Sequence, residues 1–210
     1  MPQLDLRVER VLCIGAGAFG IPIQLSQAYP QAIIDVVEID SQVIQVGFDF
    51  FGIGQYPNLR PVAADGRRFL REASGNYDVI FVDAYHGVRH IPPHLSTVEF
   101  FQLCRDRLSP NGVLMMNIIS AGSGPNAELF RAFGATVAKV FPSARFIALH
   151  PEQFETVQNI VLVCSSSLPS RRVDAGLKDL IPYIPFDAKP VVDQKNPIEA
   201  ILARQLRRTE

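Results

Sequence analysis

The chain has 210 residues, 48% of them hydrophobic, which suits one globular domain large enough for a continuous core. Its 20 lysines and arginines against 21 acids leave a formal net charge of −1, which excludes a general electrostatic attraction to nucleic acid or to an anionic membrane. No apolar run approaches the roughly 20 residues that span a bilayer, and the opening MPQLDLRVER has no apolar stretch like that of a signal peptide.

Residues 8–40, VERVLCIGAGAFGIPIQLSQAYPQAIIDVVEID, organise the rest. They predict a strand over 8–14, a glycine-rich turn, a helix, and a second strand that ends in Glu38. Short apolar runs bounded by glycine suit strands buried on both faces, as in a parallel sheet. The turn fits GxGxxG: Gly15 permits the tight bend, Gly17 lets a ligand approach the backbone, and Gly20 lets the helix pack closely on the strand. Residues 41–52 predict a helix capped by Asp40 or Ser41 and closed by Gly52. LRPVAAD is a third strand ending at Asp65, and GRRFLREAS a brief helix. YDVIFVDAY is a fourth strand, apolar until Asp83 and therefore central. Pro92 and Pro93 keep the next segment out of helix. VEFFQLCRDRL carries apolar residues at helical spacing, the turn SPNG follows, and GVLMMNII is a fifth strand. A flexible AGSGPN precedes a helix over 127–141 capped by Asn126. ARFIALH and TVQNIVLVCSS are two strands forming an antiparallel edge. Residues 1–168 thus read as a nucleoside-binding unit. Residues 169–210, broken by prolines, read as a wrapping segment with a short final helix in the same domain. The fold class is α/β, a doubly wound and mostly parallel sheet with an antiparallel terminal strand.

Cys13, Cys104 and Cys164 are odd in number, widely spaced and set among apolar residues. They read as reduced core thiols of a cytoplasmic protein, not as a disulfide framework or a zinc site. His86, His90 and His94 recur every fourth residue, a metal-binding spacing on a helix, but Pro92 and Pro93 interrupt that helix and no metal is expected. This loop reads instead as a lid over an acceptor pocket, with His86 in it. The phenylalanines at 48, 50, 51, 100 and 101 read as core or subunit contacts, compatible with a homodimer.

In open α/β sheets ligands sit outside the carboxyl ends of the strands, near the point where the strand order reverses. Here those ends carry Gly15, Ala16, Gly17 and Gly20, then Glu38 with Ile39, then Asp65 with Gly66, then Asp83. Glu38 is placed for two ribose hydroxyls, Asp65 for an adenine amine, and Ile39 for an adenine face. Hydrogen bonds to charged acceptors contribute about 1.5–3 kcal/mol each. Dinucleotide proteins share the glycines and the second-strand acid. However, they usually need a further substrate region and a basic group for the pyrophosphate, and no basic residue lies close to this turn. A sulfonium nucleoside carries positive charge and no phosphate, so it suits the acids better.

These residues carry a resemblance. VLCIGAGAFG, VVEID, AADGRRFL, YDVIFVDAY, the IPPHLSTVEFFQLCRDRLSPNGVLMMN run and VVDQKNPIE, in that order, resemble the spermidine synthase (polyamine aminopropyltransferase) family, which has a Rossmann fold like that of S-adenosylmethionine-dependent methyltransferases. The resemblance implies a ribose contact for Glu38, an adenine contact for Asp65 and a catalytic role for Asp83 as base, with Tyr85 beside it to orient the acceptor. It also implies S-adenosylmethionine or its decarboxylated form as co-substrate and a polyamine-like amine as acceptor. The chain departs from the family pattern at Ala18 and His86, where acids that recognise amines are usual, and no N-terminal β-rich region precedes the first strand. Methyl transfer from S-adenosylmethionine and a non-catalytic nucleoside-binding subunit therefore stay open as alternatives.

Overall fold

The computed structural model describes residues 8–85, 91–141, 144–165, 180–181 and 188–209. His86, His90 and the first half of the loop read as a lid, residues 86–90, lie outside these residues, as does most of the wrapping segment after Pro169.

Among the described residues the sheet has eight strands, in the order β3-β2-β1-β4-β5-β7-β6-β8. They are β1 (Arg10–Ile14), β2 (Ile33–Glu38), β3 (Leu59–Ala63), β4 (Tyr77–Val82), β5 (Leu108–Ser120), β6 (Arg145–Ala148), β7 (Gln158–Cys164) and the two-residue β8 (Leu180–Ile181). The helices are α1 (Gly20–Ala28), α2 (Ser41–Phe50), α3 (Gly66–Glu72), α4 (Val98–Asp106), α5 (Glu128–Ala138) and α6 (Ile198–Thr209). Strands β3, β2, β1, β4 and β5 pair in parallel, and β7 runs antiparallel between β5 and β6. The expected doubly wound α/β sheet is therefore present. Its antiparallel side runs from β7 through β6 to the edge, where β8 pairs antiparallel with β6.

The period of two along the strands divides the core into two layers. Leu12, Ile14, Ile80, Val82, Leu114 and Met116 face the layer with Leu70, Phe100, Phe101 and Phe133 of α3, α4 and α5, together with Leu202 of α6. Val11, Cys13, Ile34, Val36 and Phe81 face Phe19, Leu25 and Ile53 on the other side. Strand β4 sits between β1 and β5, as its apolar run predicted. The winding reverses between β1 and β4, so their carboxyl ends open the crevice where such folds bind ligands.

Several local expectations change. Strand β1 begins at Arg10, because the amides of Glu9 and Arg10 donate to the Asp78 carboxylate. The SPNG segment is not a turn before β5 but an excursion within it. Leu108 pairs with Tyr77 and Val113 with Val79, so β5 advances five residues while β4 advances two. Ser109 pins the excursion by donating to Asp78 (2.7 Å). Pro93 opens a single 3-10 turn, Pro93–Leu95, where no helical geometry was expected. The residue before α5 is Ala127, which supplies no side-chain cap, so Asn126 is not the cap. Phe100 and Phe101 are fully buried, whereas Phe48, Phe50 and Phe51 on α2 and just after it are 49%, 78% and 42% exposed. Among the described residues no helix is long and apolar enough to cross a membrane.

Candidate active site

Each acid is placed by the end of a strand. Strand β1 stops where the Gly15 amide donates to the Val37 carbonyl and the Asp83 amide to the Ile14 carbonyl, which stitches three strand tips together. A Cβ on Gly15 would lie 2.4 Å from the Asp83 carbonyl oxygen, and its φ is +93°, so both space and backbone require glycine there. Gly20 needs neither: a Cβ on it would meet nothing within 4 Å. The close helix-to-strand approach expected at Gly20 occurs at Gly66 instead, where a Cβ would lie 2.3 Å from Ile14 Cγ2. The turn also holds Phe19 at φ 57°, its ring buried against Gly47 of α2.

Glu38 is pre-oriented. Its Oε2 accepts from the Ala16 amide (2.9 Å) and its Oε1 from the Asp40 amide (3.1 Å), which leaves further lone pairs on both oxygens. Asp40 in turn caps α2, accepting from the Gln42 amide. Asp65 caps α3 through the Arg68 amide (2.8 Å), and its other oxygen meets His94 Nε2 (2.8 Å). Asp83 accepts from Asn117 Nδ2 (3.1 Å), and Asn117 also donates to Asn159 on β7. Burial raises the Asp83 carboxyl above the usual carboxylate range, and the Asn117 hydrogen bond offsets part of that rise. Asn117 Oδ1 is buried with no partner.

Glu38, Ile39, Asp65, Gly66, Asp83 and Tyr85 line one cavity of about 1070 Å³ with Gly15 and Gly17. Ala16 and Gly20 do not line it, and Ala16 enters only as the amide that fixes Glu38. The Tyr85 hydroxyl donates to the Asn117 carbonyl (2.9 Å) and accepts from the Ile119 amide (3.1 Å). That changes the reading in which this hydroxyl orients an acceptor, because its proton is committed to β5. Burial first, and then the Asp83 charge, push the phenol further up.

The cavity also has walls not expected from the strand ends. Pro92, Pro93 and His94 of the 3-10 segment, and Glu199 and Leu202 of α6, line it as well. Among the described residues five carboxylates therefore surround the space: Glu38, Asp40, Asp65, Asp83 and Glu199. Among the described residues no lysine or arginine lines it. Groups of histidine, cysteine and acid able to hold a metal are absent among the described residues. His94 belongs to the loop read as a lid over the acceptor pocket, whereas Glu199 gave no local signal, because it comes from a segment far along the chain from the glycine turn.

Residues 2–173 match the family described as spermine/spermidine synthase domain. A polyamine aminopropyltransferase of Vibrio vulnificus is 33% identical over 167 residues, covering 78% of this chain and 53% of that protein. The chain thus spans about half the length of that curated relative. A probable spermidine synthase from Corynebacterium glutamicum has a similar fold (TM-score 0.75, 22% identity, 88% of this chain and 72% of that one). So does human methyltransferase-like protein 13 in complex with SAH (TM-score 0.64, 22% identity, 95% of this chain and 82% of that one).

Proposed function

Because the chain belongs to the spermine/spermidine synthase family, we propose that its cavity binds a sulfonium nucleoside and that the protein passes the aminopropyl group to an amine acceptor. The observation that carries this reading is the charge of the lining, five carboxylates and, among the described residues, no lysine or arginine. A pyrophosphate would meet repulsion there, whereas a sulfonium and an ammonium meet attraction. Two unit charges 4 Å apart interact by about 4 kcal/mol at the effective dielectric of a protein surface. The same acids disfavour the α-carboxylate of S-adenosylmethionine and so select its decarboxylated form.

In this reading Glu38 offers its free lone pairs to the two ribose hydroxyls, and the backbone amides of Ala16 and Asp40 keep it in place. Asp65 takes the adenine amine on the oxygen that faces His94, since its other oxygen caps α3. Ile39, 73% exposed on the cavity wall, covers one face of the base. The bound sulfonium supplies an electrophilic carbon and a neutral thioether leaving group that needs no proton. The protein must therefore align the amine, which can supply about 7–11 kcal/mol, and accept one proton from it. Asp83 is the base, and burial makes it a stronger one than an exposed carboxylate. Asn117 orients it, and Tyr85 fastens the tip of β4 to β5.

A second reading, methyl transfer from S-adenosylmethionine, is favoured by Ala18, which leaves the glycine turn without an acid of its own. Titration calorimetry with decarboxylated S-adenosylmethionine, S-adenosylmethionine and methylthioadenosine separates the two. Tighter binding of the decarboxylated form is expected, preference for the intact form would transfer the case to methylation, and binding of none would leave a non-catalytic subunit. Asp83→Asn is expected to abolish turnover while nucleoside affinity stays within about tenfold, or 1.4 kcal/mol. Full turnover by that variant would remove Asp83 as the base.

A further inference from the structure

Asp65 is held from two directions, and only one of them is the helix it caps. Its Oδ1 accepts from the Arg68 amide (2.8 Å), while its Oδ2 meets His94 Nε2 (2.8 Å) across 29 positions of sequence. An ionised carboxylate only accepts, so the imidazole hydrogen on that line belongs to Nε2. Both residues line the cavity, with 33% of the Asp65 side chain and 44% of the His94 side chain exposed.

The backbone under the imidazole has little freedom. Arg67, two residues after Asp65, donates from Nη1 to the His94 carbonyl (3.0 Å). The start of α3 thus grips the ring of His94 with one residue and its main chain with another. The same guanidinium makes a bidentate pair with Asp193 (2.7 and 2.6 Å), which also accepts from the hydroxyl of Thr97 (2.7 Å) at the cap of α4. Asn196 donates to the Pro93 carbonyl (2.6 Å), and the fixed φ angles of Pro92 and Pro93 stiffen the entry to the turn. His94 is therefore tied at once to α3 and to the chain that enters α6.

We propose that His94 is a positioning residue for base recognition. By donating to Asp65 Oδ2 it fixes the plane of the carboxylate, so that this oxygen turns its other lone pair to the exocyclic amine of adenine and rejects hypoxanthine. This inference rests on the nucleoside part of the reading above and does not depend on which group is transferred. With one hydrogen bond on each oxygen, rotation about Cβ–Cγ of Asp65 breaks at least one of them. The edge it shows to the cavity is thus a fixed acceptor. An amine donates to that edge, whereas the carbonyl of hypoxanthine sets a second acceptor against it and leaves both unpaired. Without His94 the Oδ2 end is free to turn, and ordering it again on binding weakens the contact.

The test is calorimetric titration of methylthioadenosine and methylthioinosine into the full chain, for the parent, His94→Ala and His94→Gln. The parent is expected to favour methylthioadenosine. In His94→Ala the methylthioadenosine dissociation constant is expected to rise about tenfold while that of methylthioinosine stays within about twofold. In His94→Gln, whose side-chain amide offers an N–H in place of Nε2, most of the preference is expected to return. A residue that only seated the Pro93–Leu95 turn would weaken both nucleosides alike and lower the melting temperature. That result, an undiminished preference in His94→Ala, or no recovery in His94→Gln overturns the role of His94 alone. Equal binding of the two nucleosides by the parent removes the contact of Asp65 with the amine and this inference with it, and binding of neither sinks the nucleoside reading as well.

Discussion

Asp83 works against stability, and the direction is readable from its surroundings. It is partly buried, no cation pairs with it among the described residues, and Asn117 alone lowers a proton affinity that burial raises. A carboxyl held higher in the folded state than in the unfolded chain binds its proton more tightly when folded. Stability therefore declines as pH rises from the ordinary aspartate value, about 3.9, through the raised folded value, and stays lower above it. Asparagine in its place still offers an oxygen to Asn117 and has no charge to bury. Asp83→Asn is accordingly expected to melt above the parent at pH 7, with the gap closing as pH falls toward 4. Thermal melts across that range measure it, and equal melting temperatures at pH 7 would show that the ionised group costs nothing where it sits. A residue that lowers stability and yet lines the cavity suits a role in turnover, where such strain is expected to collect.

The glycine turn between β1 and α1 separates positions that the GxGxxG pattern treats alike. Gly15 lies against the Asp83 carbonyl with positive φ, while a side chain at Gly20 would enter open space at the start of α1. Gly15→Ala is expected to cost about 1–3 kcal/mol through backbone strain and crowding. Gly20→Ala is expected to be neutral or to stabilise by up to about 1 kcal/mol, since alanine favours helix. Urea melts of the two variants test the contrast, and comparable losses at both sites would restore a packing role to Gly20. The type and order of the elements in this half were legible, because apolar runs ending in Glu38, Asp65 and Asp83 mark strand tips directly. The left-handed turn at Phe19 was not, since the ring's fit against Gly47 outweighs a backbone cost invisible in local sequence. Nor was the loss of the cap at Asn126, where chain geometry places Ala127 at the helix entrance. SPNG carries strong turn residues, yet continued pairing of β5 with β4 on both sides absorbs them into one strand.

Across the molecule, the cavity is closed by parts of the chain that no short motif connects. The glycine turn and strand tips come from the first 85 residues, but His94 and α6 form the opposite wall. The Arg67–Asp193 pair joins those regions across 126 positions of sequence. Strand-end reasoning could reach the acid on β2 and those following β3 and β4; it could not reach Glu199, whose place depends on how the chain returns after β7. The buried cysteines sample the same architecture at three places. Cys13 lies in the central strand β1, Cys104 in α4 and Cys164 in β7, each with 0% of its surface exposed. Burial, followed by the Asp35 charge, lifts the Cys13 thiol to about 12, and burial also raises the other two. Thiolate is the reactive form, so alkylation of the native protein should be very slow and should proceed through opened states. Iodoacetamide labelling followed by mass spectrometry in rising urea would then report when each layer opens. Cys13 is expected to react only with global unfolding, and labelling of it at a rate insensitive to urea would reveal local fraying beneath the strand-end crevice. The protein therefore carries its own chemical probes of cooperativity, spaced from the middle of the sheet to its antiparallel side, with no reporter to be introduced.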